Sequence, residues 1–179
     1  MDYHQERQQK AKTIRIFRRI HRFTGIFLFV FLFIVGVTGI MLGWKKNSFG
    51  LILADTTEGS SLNPDKWLSI DSLQKKAMIY MSDSMGVRMD AEIDRIDVRP
   101  DKGVLKFTFK NHYNGLQLDA ATGIVLKVER RNADMIEQIH DGSIVQKIFS
   151  MQTGIFKLLY TSIMGLGLIT FTVTGFWLW

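Results

Sequence analysis

Two stretches of twenty-two residues without a charged side chain, Phe23–Trp44 and Leu158–Trp179, bracket the rest of this chain. Each exceeds the roughly 20 apolar residues that carry a helix across a hydrocarbon core of about 30 Å. The sequence therefore reads as an integral membrane protein with two spanning helices. The first run is too long to be the apolar region of a cleaved signal peptide, and its first small-residue site lies inside the run rather than after it.

In a soluble protein a net charge of +6 would point to nucleic acid, but its distribution argues for a membrane surface. Residues 1–46 hold nine cations (Arg7, Lys10, Lys12, Arg15, Arg18, Arg19, Arg22, Lys45 and Lys46) against Asp2 and Glu6, a net +7. Fourteen basic and fifteen acidic residues make up the remainder, a net −1. Seven of the cations precede the first span, so the positive-inside rule puts the N-terminus in the cytoplasm. The arm is suited to anionic lipid headgroups, and a single aromatic, Phe17, among its cations leaves little case for a nucleic-acid binder. Residues 47–153 then face the far side of the membrane. With no cysteine, disulfides and thiolate metal sites are excluded.

Between the spans the local signals alternate. Asn63-Pro64-Asp65 reads as a helix start, with an Asn cap, Pro at the first helical position and an acid in the first turn. Trp67, Ile70, Leu73, Ala77 and Tyr80 follow at three- and four-residue intervals, an amphipathic helix that Gly86 is placed to terminate. "EIDRIDVR" and "VLKFTFKNH" read as strands joined through "PDKG", with Leu105, Phe107 and Phe109 alternating against Lys106, Thr108 and Lys110. Asn114-Gly115 suits a tight turn. "LQLDAATGIVLKVERR" reads as a last hairpin whose turn is bounded by Asp119 and Gly123. A helix covering a small antiparallel sheet accommodates all of this.

"GLQLDAATGIVLKVE" resembles the signature of PepSY domains, in which a strand ending in Asp turns through a Thr-Gly pair into the last strand. "IHRFTGIFLFVFLFIVGVTGIML" resembles the opening helix of PepSY-associated transmembrane proteins of bacterial inner membranes. It has their His-Arg pair, an early Gly and a Thr-Gly late in the span. The resemblance implies an inner-membrane protein with a periplasmic central domain. Larger members of that family have four or more spans and include haem-carrying ferric-siderophore reductases; this chain has two. The spans also echo one another. Thr24-Gly25-Ile26-Phe27 recurs as Thr153-Gly154-Ile155-Phe156, and Val37-Thr38-Gly39 as Val173-Thr174-Gly175.

At 100° per residue, Gly25, Gly36, Gly39 and Gly43 fall within about 60° of His21. Small residues gather where something approaches a membrane helix closely, so this stripe marks a packing or cofactor face, and Gly154, Thr161, Gly165 and Thr172 mark another in the second span. Two readings of His21 stand: an interfacial imidazole among Arg18, Arg19 and Arg22, or an axial haem ligand with glycines leaving room for the macrocycle. The resemblance favours the second, because His21 matches the histidine opening the family's first helix. His140, in "QIHDG", lies on an amphipathic segment that Gly142 interrupts. It resembles the family's His-containing stretch before a membrane helix, against the alternative of an interfacial residue paired with Asp141 or Glu137. His112 falls in a turn and reads as solvent-exposed.

The expected organisation is a basic cytoplasmic arm (1–22), a first transmembrane helix (23–44), an extracytoplasmic PepSY-like α+β domain (45–131), an amphipathic interfacial helix (132–152) and a second transmembrane helix (153–179). Trp179 closes an apolar helix without a polar flank, from which further residues are expected. His21 and His140 are expected near opposite membrane faces, too far apart to share one iron. A homodimer, or other membrane subunits, would then complete sites for haem b with His21 and His140 as iron ligands. Such a protein would pass electrons across the membrane to a periplasmic acceptor such as ferric-siderophore iron. Without a flavin or nicotinamide motif it is a ferric-reductase-like oxidoreductase or a subunit of one, and no complete reaction is assigned. The alternative is a membrane-anchored PepSY binding or scaffolding subunit without cofactor.

Overall fold

A computed structural model describes residues 3–84, 91–149, 151 and 153–179. Two helices in it are long and apolar enough to cross a membrane, one within residues 5–43 and one at Ile155–Leu178. They flank a four-stranded antiparallel sheet with its covering helix, the membrane-bound α+β arrangement the sequence implies. The chain divides into two compact units, residues 1–41 with 136–179, and residues 42–135.

The first unit contains helix α1 (Tyr3–Gly43) and helix α5 (Ile155–Leu178). The basic arm belongs to the same continuous helix as the first span, giving α1 a length of about 60 Å at 1.5 Å per residue. The two helices run antiparallel. Phe17 stacks on Trp177, Leu28 packs on Gly167 and Phe31 meets the edge of Tyr160, so rising numbers on one helix meet falling numbers on the other. Leu28 and Met164 are buried in the seam, while Phe23, Ile26, Phe29 and Leu166 stay exposed on the outer faces. That apolar outer surface is what lipid would cover.

Helix α3 (Asn132–His140) crosses the boundary between the units, and α4 (Ser143–Ile148) belongs to the first. Gly142 separates them at φ +76°, the interruption expected from the sequence. A side chain there would be strained by the backbone and would also sit 2.7 Å from the Tyr160 ring.

The second unit is a meander of β1 (Ile93–Arg99), β2 (Val104–Phe109), β3 (Asn114–Asp119) and β4 (Val125–Arg130), each strand antiparallel to its neighbours. Helix α2 (Ile70–Ser84) lies on one face, where Leu73, Ala77 and Met81 bury completely against Phe107, Leu116 and Leu118. The helix starts later than the capping signal suggested. Asn63 Oδ1 does accept from Asp65 N at 3.0 Å, but Pro64–Lys66 form only a 3₁₀ turn and Trp67 is extended. The turn lets the Trp67 indole donate to the Ser61 carbonyl at 2.9 Å, and the α-helix begins three residues on, after Ser69. Gly86, expected to end it, lies outside the described residues.

Two strand expectations also change. Asn114-Gly115 begins β3 rather than making a turn, with Gly115 paired across from Thr108. The second face of β2, expected to be wet, is buried: Lys106 is 7% and Thr108 4% exposed. The segment leading from α1 to α2 covers it, with Thr57 N donating to Gln117 Oε1 at 2.9 Å and Gly59 N to the Lys102 carbonyl at 2.8 Å. Gly59 allows this approach, since a Cβ there would overlap the Gly103 carbonyl.

Candidate functional site

A threonine in a helix commonly returns its hydroxyl proton to the carbonyl one turn back. Thr38 Oγ1 lies 2.6 Å from the Ile34 carbonyl, and Thr174 Oγ1 lies 2.7 Å from the Thr170 carbonyl. Both hydroxyls turn towards the seam of the first unit, and each meets a histidine from elsewhere in that unit. His21 Nδ1 is 2.9 Å from Thr174 Oγ1, and His140 Nδ1 is 2.9 Å from Thr38 Oγ1. The glycine after each threonine lies under the same ring. A Cβ on Gly175 would be 3.4 Å from His21 Cε1, and one on Gly39 would be 3.5 Å from His140 Cε1. The Val-Thr-Gly triplets that echo between the spans are thus two copies of one histidine cradle.

The remaining contacts fix the rings further. His21 stacks on Phe171 with centroids 4.0 Å apart and planes 25° from parallel, and Phe171 in turn packs on Gly25. His140 is set by the α3–α4 junction. There Asp141 Oδ1 accepts from Ser143 N at 2.9 Å and from Ser143 Oγ at 2.6 Å, and its other oxygen pairs with Lys157. Burial works against the Asp141 carboxylate, but these donors together outweigh it and hold its pKa below the ordinary value. Among the described residues His140 bonds neither Asp141 nor Glu137, and no group bonds Nε2 of either ring.

Thr38 follows His21 by seventeen residues, about 25 Å along a helix, so the two cradles lie at well-separated levels of the helix pair and their rings cannot meet one iron. A cleft of about 220 Å³ opens beside His140, lined by Val35, Asp141, Tyr160, Thr161 and Gly165. It adjoins an apolar cleft of about 300 Å³ through Tyr160 and Met164. No group of three or more His, Asp or Glu that could hold a metal ion occurs among the described residues, so the donor set does not suit a bare metal ion. Haem differs in that the macrocycle supplies four nitrogens and the protein one or two axial ligands.

Of the glycines singled out from the sequence, Gly25 packs closely under Phe171 and Gly39 lies in van der Waals reach of the His140 ring. Gly36, Gly43, Gly154 and Gly165 have nothing within 4 Å of an added Cβ, and Gly165 instead leaves room in the cleft beside His140. Gly167, Gly175, Thr38 and Thr174 were not singled out, although the Val-Thr-Gly repeat carried three of them. His112 is half-buried rather than exposed, with Nδ1 accepting from Asn114 N at 3.2 Å.

A family model described as "PepSY-associated TM region" matches residues 18–179. No curated protein and no solved structure matches the chain. The match begins three residues before His21 and includes both cradles.

Proposed function

The chain belongs to the family of PepSY-associated transmembrane regions, and on that premise we propose that it is a b-type haem electron carrier of a bacterial inner membrane. The observation that carries this reading is the pair of cradled histidines, each with Nδ1 engaged by a threonine and Nε2 left without a partner among the described residues. A metal-ligating histidine has this arrangement: one nitrogen is oriented by a hydrogen bond and the other is available. His21 and His140 are the residues that would hold the haem iron, and Gly165 leaves the space beside His140 open. Bound there, haem b supplies a one-electron ferric–ferrous couple.

The axial separation of about 25 Å supports two sites, one towards each surface of a core about 30 Å thick. Each site receives one imidazole from this chain, and the cleft beside His140 adjoins the apolar cleft next to it through Tyr160 and Met164. A single imidazole per site supports a homodimer, or a further membrane subunit, that would bring a second one to each. The basic arm of α1 stays in the cytoplasm, the sheet domain lies in the periplasm, and electrons leave towards a periplasmic acceptor such as ferric-siderophore iron. The donor is a separate protein or a quinol.

The test is the visible spectrum of detergent-purified protein, oxidised and dithionite-reduced, with haem quantified per chain. A b-type reduced spectrum with about one haem per chain corresponds to two sites per dimer, and about half to one site. His21→Ala and His140→Ala should each remove one site and spare the other. A colourless protein, expressed with ample haem, would leave a membrane-anchored partner-binding module in its place.

A further inference from the structure

The two threonines do more than touch the histidines. A hydroxyl has one proton and two lone pairs. Thr38 Oγ1 lies 2.6 Å from the Ile34 carbonyl oxygen and Thr174 Oγ1 2.7 Å from the Thr170 carbonyl oxygen. Two oxygens approach so closely only with a proton between them, and a carbonyl has none to give. The hydroxyl proton is therefore committed to the helix, and only lone pairs of Oγ1 remain for the imidazole at 2.9 Å. The histidine must be the donor, through Nδ1–H.

We propose that Thr38 and Thr174 are positioning residues that fix the tautomer of the histidine lodged against them, His140 and His21 respectively. Each ring carries its proton on Nδ1 and presents an unprotonated Nε2 lone pair. The carbonyls of Ile34 and Thr170 are the origin of the polarity, since each orients the hydroxyl that orients the ring. The glycines lie beside the same rings, where an added Cβ would come into van der Waals contact with the imidazole, at 3.5 Å on Gly39 and 3.4 Å on Gly175. The value of the device rests on the haem reading, because an Nε2 lone pair is what iron requires. The tautomer itself belongs to this chain's own residues.

The test is side-chain ¹⁵N NMR of the full-length, cofactor-free protein labelled at histidine, at a pH above imidazole titration, with resonances assigned by difference against His21→Gln and His140→Gln. Both rings should show a protonated Nδ1 and an unprotonated Nε2. Thr38→Val should abolish this preference for His140 alone and Thr174→Val for His21 alone, while Thr38→Ser and Thr174→Ser should retain it. An Nε2–H tautomer at either ring of the wild type would overturn the proposal, and so would valine variants with unchanged spectra. The wild-type and serine spectra decide the matter even where a valine variant does not fold. Haem titration of the same sample separates the two ideas. Locked tautomers without haem uptake sink the haem reading alone, and haem uptake with an Nε2–H resting tautomer sinks this one alone.

Discussion

The Asp119 carboxylate gathers four hydrogen bonds at the end of β3. Its Oδ1 accepts from Ala121 N at 2.8 Å, Thr122 N at 3.0 Å and Ser60 Oγ at 3.0 Å, and its Oδ2 accepts from Ser60 N at 2.7 Å. Burial raises the cost of the charged form, and these donors together outweigh it, so the pKa lies below the ordinary carboxylate value. A depressed carboxylate stabilises the fold above its unfolded pKa of about 3.9, and that contribution is lost as pH falls through the lower folded value. Asp119→Asn should therefore flatten the acid side of the stability profile of the detergent-solubilised protein. Asp119→Ala, which strands the donors, should cost about 2–3 kcal/mol in chemical denaturation. The turn from Asp119 to Gly123 was readable because its bonds span two to four residues, within reach of sequence pattern. Ser60, fifty-nine residues away, was not. The same limit governs the histidines: the Val-Thr-Gly echo was visible, but which histidine each copy holds depends on the antiparallel pairing of the helices.

Among elements, the α3–α4 junction carries the most consequence for the site. Gly142 adopts φ +76° against the ring of Tyr160, and the turn it makes places His140 at the end of α3. Gly142→Ala should cost about 1–3 kcal/mol from backbone strain alone, with the overlap on Tyr160 adding to it. On the haem reading it should lower the haem content of the His140 site and leave the His21 site loaded, read in the spectrum against His140→Ala. Gly142 was legible because a glycine inside an otherwise periodic helix has few roles. The late start of α2 was not, since Asn63-Pro64-Asp65 satisfies the same capping rules for a 3₁₀ turn as for a longer helix. Alternation along β2 marks Leu105, Phe107 and Phe109 as core, where the structure buries them. It misled for Lys106 and Thr108, because the segment covering them has no periodicity of its own. Lys106 is accommodated in that covered face by its ion pair with Glu129 at 3.5 Å, and Gln117 by its bonds to Asp55 and Thr57.

For the whole molecule the decisive quantity is the asymmetry of charge about the first span. Seven cations precede Phe23 within residues 1–22, with Asp2 and Glu6 the only acids there, while the chain after residue 46 is nearly neutral. On the proposed reading that excess near the end of a spanning segment retains the N-terminus in the cytoplasm, and two spans would then bring the sheet domain to the opposite side and the end of α5 back. The absence of cysteine makes the orientation directly measurable, because a single introduced thiol is the only reactive one. Gln9 lies on the exposed surface of the arm and Lys75 on the exposed surface of α2. In spheroplasts, a membrane-impermeant maleimide should label Lys75→Cys and spare Gln9→Cys until the membrane is opened. The reverse pattern would place the sheet domain in the cytoplasm and remove the route to a periplasmic acceptor. It would leave the two histidine cradles intact, because they depend only on how α1, α3 and α5 meet. Labelling of both residues in sealed spheroplasts would mean that the chain does not adopt a single orientation, and a vectorial electron path would then have no basis in its topology.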